Sequence, residues 1–175
     1  MNSTQLAFLI GAAVLLFWAV GAYNRLIGLR NALVRSFAPV DEQFRHRHAL
    51  LLRLADTLAP ALAGAPQSLD ALRAACSQAE AACGRVRARP GALGTTTSLR
   101  LAEDILAEAR ARLPAPALAD AGLAGLNAEL AAGDTTLTFA RRGYNDCVDA
   151  YNRAVRQFPT WLIAGLFGFR RAGTL

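Results

Sequence analysis

The stretch from Leu6 to Tyr23 reads LAFLIGAAVLLFWAVGAY and carries no charged residue. As a helix it spans about 27 Å, close to the hydrocarbon thickness of a bilayer. A core helix normally keeps one polar face, and this one is apolar all round. Trp18 and Tyr23 lie toward its far end, where amphipathic rings favour a membrane interface. A cleaved leader is the rival reading, since Val20 and Ala22 would tolerate cleavage. Met1–Gln5 nevertheless lacks the basic residues that such a leader needs, so the expectation is a retained signal-anchor. Arg25, Arg30, Arg35, Arg45 and Arg47 follow the span, and nothing basic but the terminal amine precedes it. The positive-inside rule then places residues 1–5 outside, 6–23 across the membrane and the body in the cytoplasm.

The body reads as all-α. Hydrophobic residues make up 54% of the chain, with Ala and Leu dominant, and these lose little side-chain freedom in a helix. From Arg25 to Leu58 the apolar positions Leu26, Leu29, Leu33, Phe37, Val40, Phe44, Leu51, Leu54 and Leu58 recur every three or four residues. This is a near-heptad stripe of coiled-coil character that continues from the membrane helix, with a kink expected at Pro39. Pro60, Gly64 and Pro66 end it. A second helix is expected from Ser68 to Arg89 and a third from Ser98 to Arg112, with the residues from Pro90 to Thr97 as a loop. A fourth is expected from Asp120 to Phe158, striped by Leu123, Leu126, Leu130, Leu137, Tyr144, Val148, Tyr151, Val155 and Phe158.

Four helices with short links predict an antiparallel up-and-down bundle over residues 24–158, followed by an apolar and basic tail over 159–175. Helix lengths alone put Tyr23 level with Phe158, Asn31 near Asn152, and Asp41 level with Ala140 and Arg141. That register predicts an ion pair from Asp41 to Arg141 or Arg142.

Two stretches closely resemble the LemA family. The first holds Tyr23, Asn24, Arg25, Leu26, Leu29, Arg30, Asn31, Phe37, Asp41 and Arg45–His46–Arg47–His48. The second holds Phe139–Ala140–Arg141–Arg142, Tyr144–Asn145, Tyr151–Asn152, Phe158–Pro159 and Ile163–Ala164–Gly165–Leu166–Phe167–Gly168–Phe169. The resemblance implies an outside amino terminus, one transmembrane helix and a cytoplasmic antiparallel bundle at a bacterial inner membrane. It implies no catalysis and no cofactor. It suggests a signalling or accessory role, with membrane proteins such as a protease as partners. The middle of the chain departs from the family. Leu51–Leu52–Arg53 stands where a Pro–Asn pair is usual, residues 114–122 replace a Glu–Asn–Tyr–Pro segment, Asn127 replaces a Gln, and Gly133–Asp134 replaces Thr–Glu. The family's acidic, aromatic tail end is also missing.

Catalytic and metal signatures are absent from the sequence. His46 and His48 are two residues apart and point to different helix faces, and no Cys, Asp or Glu set has zinc-ligand spacing. No P-loop, nucleophile elbow, HExxH or dinucleotide turn is present. The formal net charge of +6 is carried by arginine alone. These arginines are scattered without interleaved aromatics, which argues against nucleic acid, and with a membrane segment present the basic balance favours a lipid bilayer. Cys76, Cys83 and Cys147 have no disulfide framework. The first two lie about 10 Å apart on one helix, which suggests core thiols in a reducing compartment.

Two readings of function remain. One is a non-catalytic interaction protein working through its bundle faces and its tail. The other is a receptor or enzyme with a polar groove lined by Arg30, Asn31, Asp41, Arg141 and the Tyr–Asn pairs. The tail itself has two readings. Trp161, Phe167, Phe169, Arg170 and Arg171 can lie in a membrane interface, or the segment can fold over the bundle end and complete the core.

Overall fold

The computed structural model describes residues 2–64, 66–118 and 121–175. Helix α1 runs unbroken from Ser3 to Leu58, 56 residues, and passes through Pro39. It starts three residues before the apolar stretch, where the Gln5 side chain accepts a hydrogen bond from the Asn2 N–H at 3.2 Å. Its 18-residue apolar window has a mean hydropathy of 2.2 and is almost wholly unburied, so α1 has the length and composition to cross a membrane. Beyond Gly21 the same helix becomes the central post of the bundle. All nine expected stripe positions turn inward, Leu29 being half-buried and the other eight buried.

Helix α2 (Gln67–Ala88) returns along α1, and α3 (Leu93–Ala111) packs against α2. A short α4 (Ala115–Leu118) and a 3-10 turn (Ala121–Leu123) lead into α5 (Ala124–Arg156), which lies against α1 over much of its length. Helix α6 (Thr160–Leu166) then packs on α1 and α5, and the last residues run back along the bundle. Among the described residues no strand is present, and the architecture is the all-α antiparallel bundle expected from the sequence. We call the end where the apolar part of α1 leaves the bundle its basal end. The α2–α3 turn and α6 lie there too.

Three expected boundaries shift. Helix α3 begins at Leu93 rather than Ser98: the N–H groups of Thr95 and Thr96 already donate to the Ala92 carbonyl at 3.1 Å, and the hydroxyls of Thr95, Thr96 and Ser98 are satisfied within the helix by carbonyls three or four residues back. Pro114 ends α3 as expected, but one further helical turn follows it. The last long helix starts at Ala124, after the 3-10 turn; the expected start at Asp120 lies outside the described residues. At its other end it stops at Arg156, and Phe158 is 74% exposed rather than a core residue.

The register inferred from length is correct, and the ion pair drawn from it is not. Phe37 meets Tyr144 edge-on at 5.9 Å between ring centroids. Phe37 lies as many residues beyond Tyr23 as Tyr144 lies before Phe158, so the level is the one expected. Asp41, however, is turned toward α2. Arg87 donates to both its carboxylate oxygens, at 2.6 and 2.9 Å, and Arg45 donates from one turn on, at 2.9 Å. Arg141 instead lies over the Phe44 ring, and Arg142 over Phe139. Helix length fixes level along an axis, but rotation about it depends on which neighbour each face meets.

Asp41 is buried while Arg87 is half-exposed, so the pair is more than a surface contact. A double-mutant cycle with Asp41→Ala and Arg87→Ala should give a coupling of about 1–2 kcal/mol in denaturant melts, against none for Asp41→Ala with Arg141→Ala.

Candidate functional site

The repeated Tyr–Asn pairs of α5 grip the tail by its main chain. The Asn145 carboxamide donates to the Leu175 carbonyl and accepts from the Leu175 N–H, both at 2.8 Å. Seven residues on, Asn152 does the same to Ala172, at 2.9 and 2.8 Å. The hydroxyl of Tyr144 donates to the Gly173 carbonyl at 3.2 Å, and that of Tyr151 to the Arg170 carbonyl at 2.9 Å. Physical spacing makes the repeat work. Seven residues of helix rise about 10.5 Å, and three residues of extended chain cover about 10 Å. Each Tyr–Asn pair therefore meets the tail three residues from where the other does.

Two glycines let the tail come this close. The Gly173 N–H donates to the Gly91 carbonyl at 3.0 Å. A Cβ on Gly173 would overlap the Thr96 hydroxyl and lie 3.3 Å from Leu93 Cα. Gly91, at the α2–α3 turn, has φ +81° and no room for a side chain between Leu33 and Ala172. Burial raises the hydroxyl pKa of Tyr144 to about 12, with the Gly91 main chain opposing, and burial also raises that of Tyr151. Both stay protonated donors at any physiological pH.

Of the two readings of the tail, the main chain follows the second and folds over the bundle. Its side chains divide. Ile163, Ala164 and Ala172 are buried, and Phe169 packs on Tyr23 at 5.8 Å between centroids. Phe167 touches Tyr23 at 4.8 Å on one side yet stays more than half exposed. Phe158, Trp161, Leu162 and Leu166 also face outward. Pro159 follows Phe158 through a cis peptide bond and precedes α6. Arg170 and Arg171 are exposed.

The expected polar groove does not assemble as drawn. Asn24 and Asn31 are exposed, and among the described residues neither has a hydrogen-bond partner. They sit on the face of α1 turned away from α5. Asp41 faces α2, and Arg141 lies about one turn farther from the basal end than Asn145 and nearly three turns farther than Tyr151. Arg30 and Tyr151 do share a groove, together with Arg89, Arg170, Arg171 and the ring of Phe167.

A second polar cluster, which the sequence reading missed, lies midway along the bundle. Arg47 of α1 pairs with Glu103 of α3 and, at 3.7 Å, with Asp134 of α5. Arg110 donates to the same Asp134 at 2.8 Å. His48 lies 3.5 Å from Glu103 and stacks on Phe44, whose ring also carries the Arg47 guanidinium at 5.4 Å. The buried Arg47 Nε and His48 Nδ1 have no hydrogen-bond partner among the described residues. The cluster ties three helices together. Burial alone would raise the Glu103 pKa, but the hydrogen bond to His48 and the charge of Arg47 outweigh it and hold the group below 4.5. Burial also lowers the Arg141 pKa. Among the described residues no group of three or more His, Cys, Asp or Glu could hold a metal. Cys76 and Cys83 are buried thiols on α2, and burial pushes them up to about 11 and about 12, so neither is a ready nucleophile.

The LemA family model matches residues 36–175, which takes in both Tyr–Asn pairs and the whole tail that they hold. The chain belongs to the LemA family. No curated protein matches it. The apolar part of α1 precedes the matched region, so its reading rests on its own length and composition.

The clamp has a stability consequence. Asn152→Ala leaves both polar groups of the buried Ala172 main chain unpaired and should cost about 2–3 kcal/mol. Asn145→Ala, at a half-buried position, should cost about 1 kcal/mol. Hydrogen exchange should show protection lost at Ala172 and Gly173 in the first variant and at Leu175 in the second.

The cluster has a pH consequence. Below about pH 4.5 the unfolded chain takes up the proton that folded Glu103 resists, so stability falls as pH drops through 4.5 toward the lowered folded value. Glu103→Gln should cost about 3 kcal/mol at pH 7 and flatten that acid limb in melts recorded between pH 3 and pH 7.

Proposed function

We propose that this LemA-family protein is a single-pass membrane protein of the bacterial inner membrane, with residues 1–5 outside and the bundle in the cytoplasm. It acts there as a non-catalytic interaction or accessory component of a membrane complex. One observation carries this reading above the enzyme alternative. The Tyr–Asn pairs that would have lined a groove between α1 and α5 are spent on the protein's own tail, whose main chain they hold at both repeats. The tail therefore covers the Tyr–Asn face that a substrate would have had to reach.

The orientation is supported by charge. Residues 24–35, 85–98 and 150–175 meet at the basal end and contain ten of the nineteen arginines and none of the thirteen acidic residues. Arginine next to a span is retained on the cytoplasmic side. The interaction role is supported by side chains that the fold leaves uncovered. Phe158, Trp161 and Leu166 project from the basal end beside the span, where another membrane protein, a protease among the candidates, would be met edge to edge.

Because the tail is part of the fold, removing it would damage the bundle as well as any contact. Point changes at the uncovered side chains separate the two. In native membranes, in-cell crosslinking of the intact chain should capture a reproducible partner, and Phe158→Ser/Trp161→Ser/Leu166→Ser should lose at least tenfold of it while melting within about 2 °C of the parent. A partner captured equally by both forms would move the contact to the bundle faces. No partner above background would count against the reading.

A further inference from the structure

The groove beside the span has a composition unlike the rest of the surface. It encloses 680 Å³ and lies between the membrane-proximal turns of α1, the α2–α3 turn and the tail. Four guanidinium groups line it, those of Arg30, Arg89, Arg170 and Arg171, and no acidic residue does. None of the four makes an ion pair among the described residues, although Arg47, Arg87 and Arg110 all do. Some basal arginines have a local use. Arg85, Arg87, Arg153 and Arg156 occupy last turns of α2 and α5, where a cation complements the helix dipole. Arg30 lies in the middle of α1, and Arg170 and Arg171 lie beyond α6, so that account does not reach them.

Like charges gathered without counter-charges repel one another, and an anion in their midst relieves that repulsion. The groove's level indicates which anion. Arg30 follows Tyr23 by seven residues, about 10 Å along the helix. A headgroup layer is about 5–8 Å deep on each side of the hydrocarbon, and an arginine side chain reaches across the difference. Tyr23 and Phe167 form the groove wall on the side of the span, so an occupant would meet rings at one end and guanidinium groups at the other.

We propose that this groove binds the phosphate of one anionic phospholipid from the adjoining leaflet. Its acyl chains lie along the apolar part of α1 and its headgroup lies among Arg30, Arg89, Arg170 and Arg171. Guanidinium forks match phosphate oxygens bidentately, which suits arginine over any other cation for this task. The clamp serves the site, because the tail main chain held by Tyr151 and Asn152 is what places Arg170 and Arg171 opposite Arg30. The proposal rests on the membrane anchorage argued above, and the experiment reads the two separately.

Full-length protein would be purified in a neutral detergent and offered equal amounts of phosphatidylglycerol and phosphatidylcholine. Lipids retained per chain would be counted by native mass spectrometry. Flotation with pure phosphatidylcholine liposomes reports anchorage alone. The expected result is flotation of every form, with at least a tenfold preference for phosphatidylglycerol in the parent. Each arginine near an anionic surface contributes roughly fivefold, so Arg30→Gln/Arg170→Gln/Arg171→Gln should abolish the preference. Arg25→Gln/Arg35→Gln, basic residues of the same end outside the groove, should keep it. Circular-dichroism melts of all forms should coincide, since none of these side chains is paired. Equal retention of the two lipids by the parent, or equal loss in both sets of variants, would overturn the proposal. So would displacement of the retained lipid by millimolar inorganic phosphate, which would assign the groove to a free anion. Failure to float would overturn the anchorage instead.

Discussion

The fit between a seven-residue helix repeat and a three-residue extended repeat is the constraint on which the basal half of this protein depends. It lets α5 hold a strand-like segment without any strand to pair with. A single extended segment beside a helix bundle has main-chain groups that need partners, and helices have none to give, since their own are used internally. Side-chain carboxamides solve the problem because each can present an N–H donor and a carbonyl acceptor side by side in one plane, matching the pair that a residue's main chain presents. Asn145 and Asn152 act as two rungs of an artificial ladder. The tyrosine hydroxyls add a single donor each, and the tyrosine rings contribute burial against α1.

This arrangement couples distant parts of the chain. The tail sits where Gly91 turns α2 into α3, so the α2–α3 hairpin, α5 and the tail are fixed together. Helix α1 is the element that all of them touch, directly or through one neighbour. Farther up, the Arg47–Glu103–Asp134 cluster performs the same linking task with charges, again between α1, α3 and α5. A buried ion cluster specifies an arrangement more than it adds stability. The two sites therefore divide the work, one setting the geometry of the basal end and the other that of the bundle's middle.

Much of this was legible in the sequence, for definite reasons. The stripes of α1 and α5 are regular enough that their period gives both helix identity and buried face, and Leu26 through Leu58 behave as read. Level along the bundle also followed, because helix length converts to distance at a fixed rise. Rotation did not follow. Asp41 stands about 40° around the helix from Phe37, enough to face α2 instead of α5, and no pattern in the sequence marks which neighbour waits on each side. The start of α3 was hidden because a run of glycines and threonines reads as a loop, although here the threonine hydroxyls are satisfied by helix carbonyls. Glu103 escaped notice on an Ala-rich helix of weak periodicity, far in sequence from Arg47. The tail clamp had half a signature. The Tyr–Asn repeat was visible, but its partner is main chain, which leaves no side-chain trace beyond the small residues Ala172 and Gly173.

An up-and-down topology also explains why charge must be read from the fold and not from the flank of the span. Every second connection of such a bundle returns to the same end, so residues 24–35, 85–98 and 150–175 become one surface although up to 151 positions separate their members. The flank of α1 supplies only three of the ten arginines there. The others come from the α2–α3 turn, the end of α5 and the tail. All thirteen carboxylates fall outside these three segments, against nine arginines, which makes the remainder of the chain net acidic while the whole is net basic. In the proposed orientation the two fields cooperate. The basic face is drawn to anionic lipid, and the acidic remainder is pushed away from it. In that orientation charge would hold the bundle upright on its span, with the basic end kept in one piece by the α5 side chains that grip the tail.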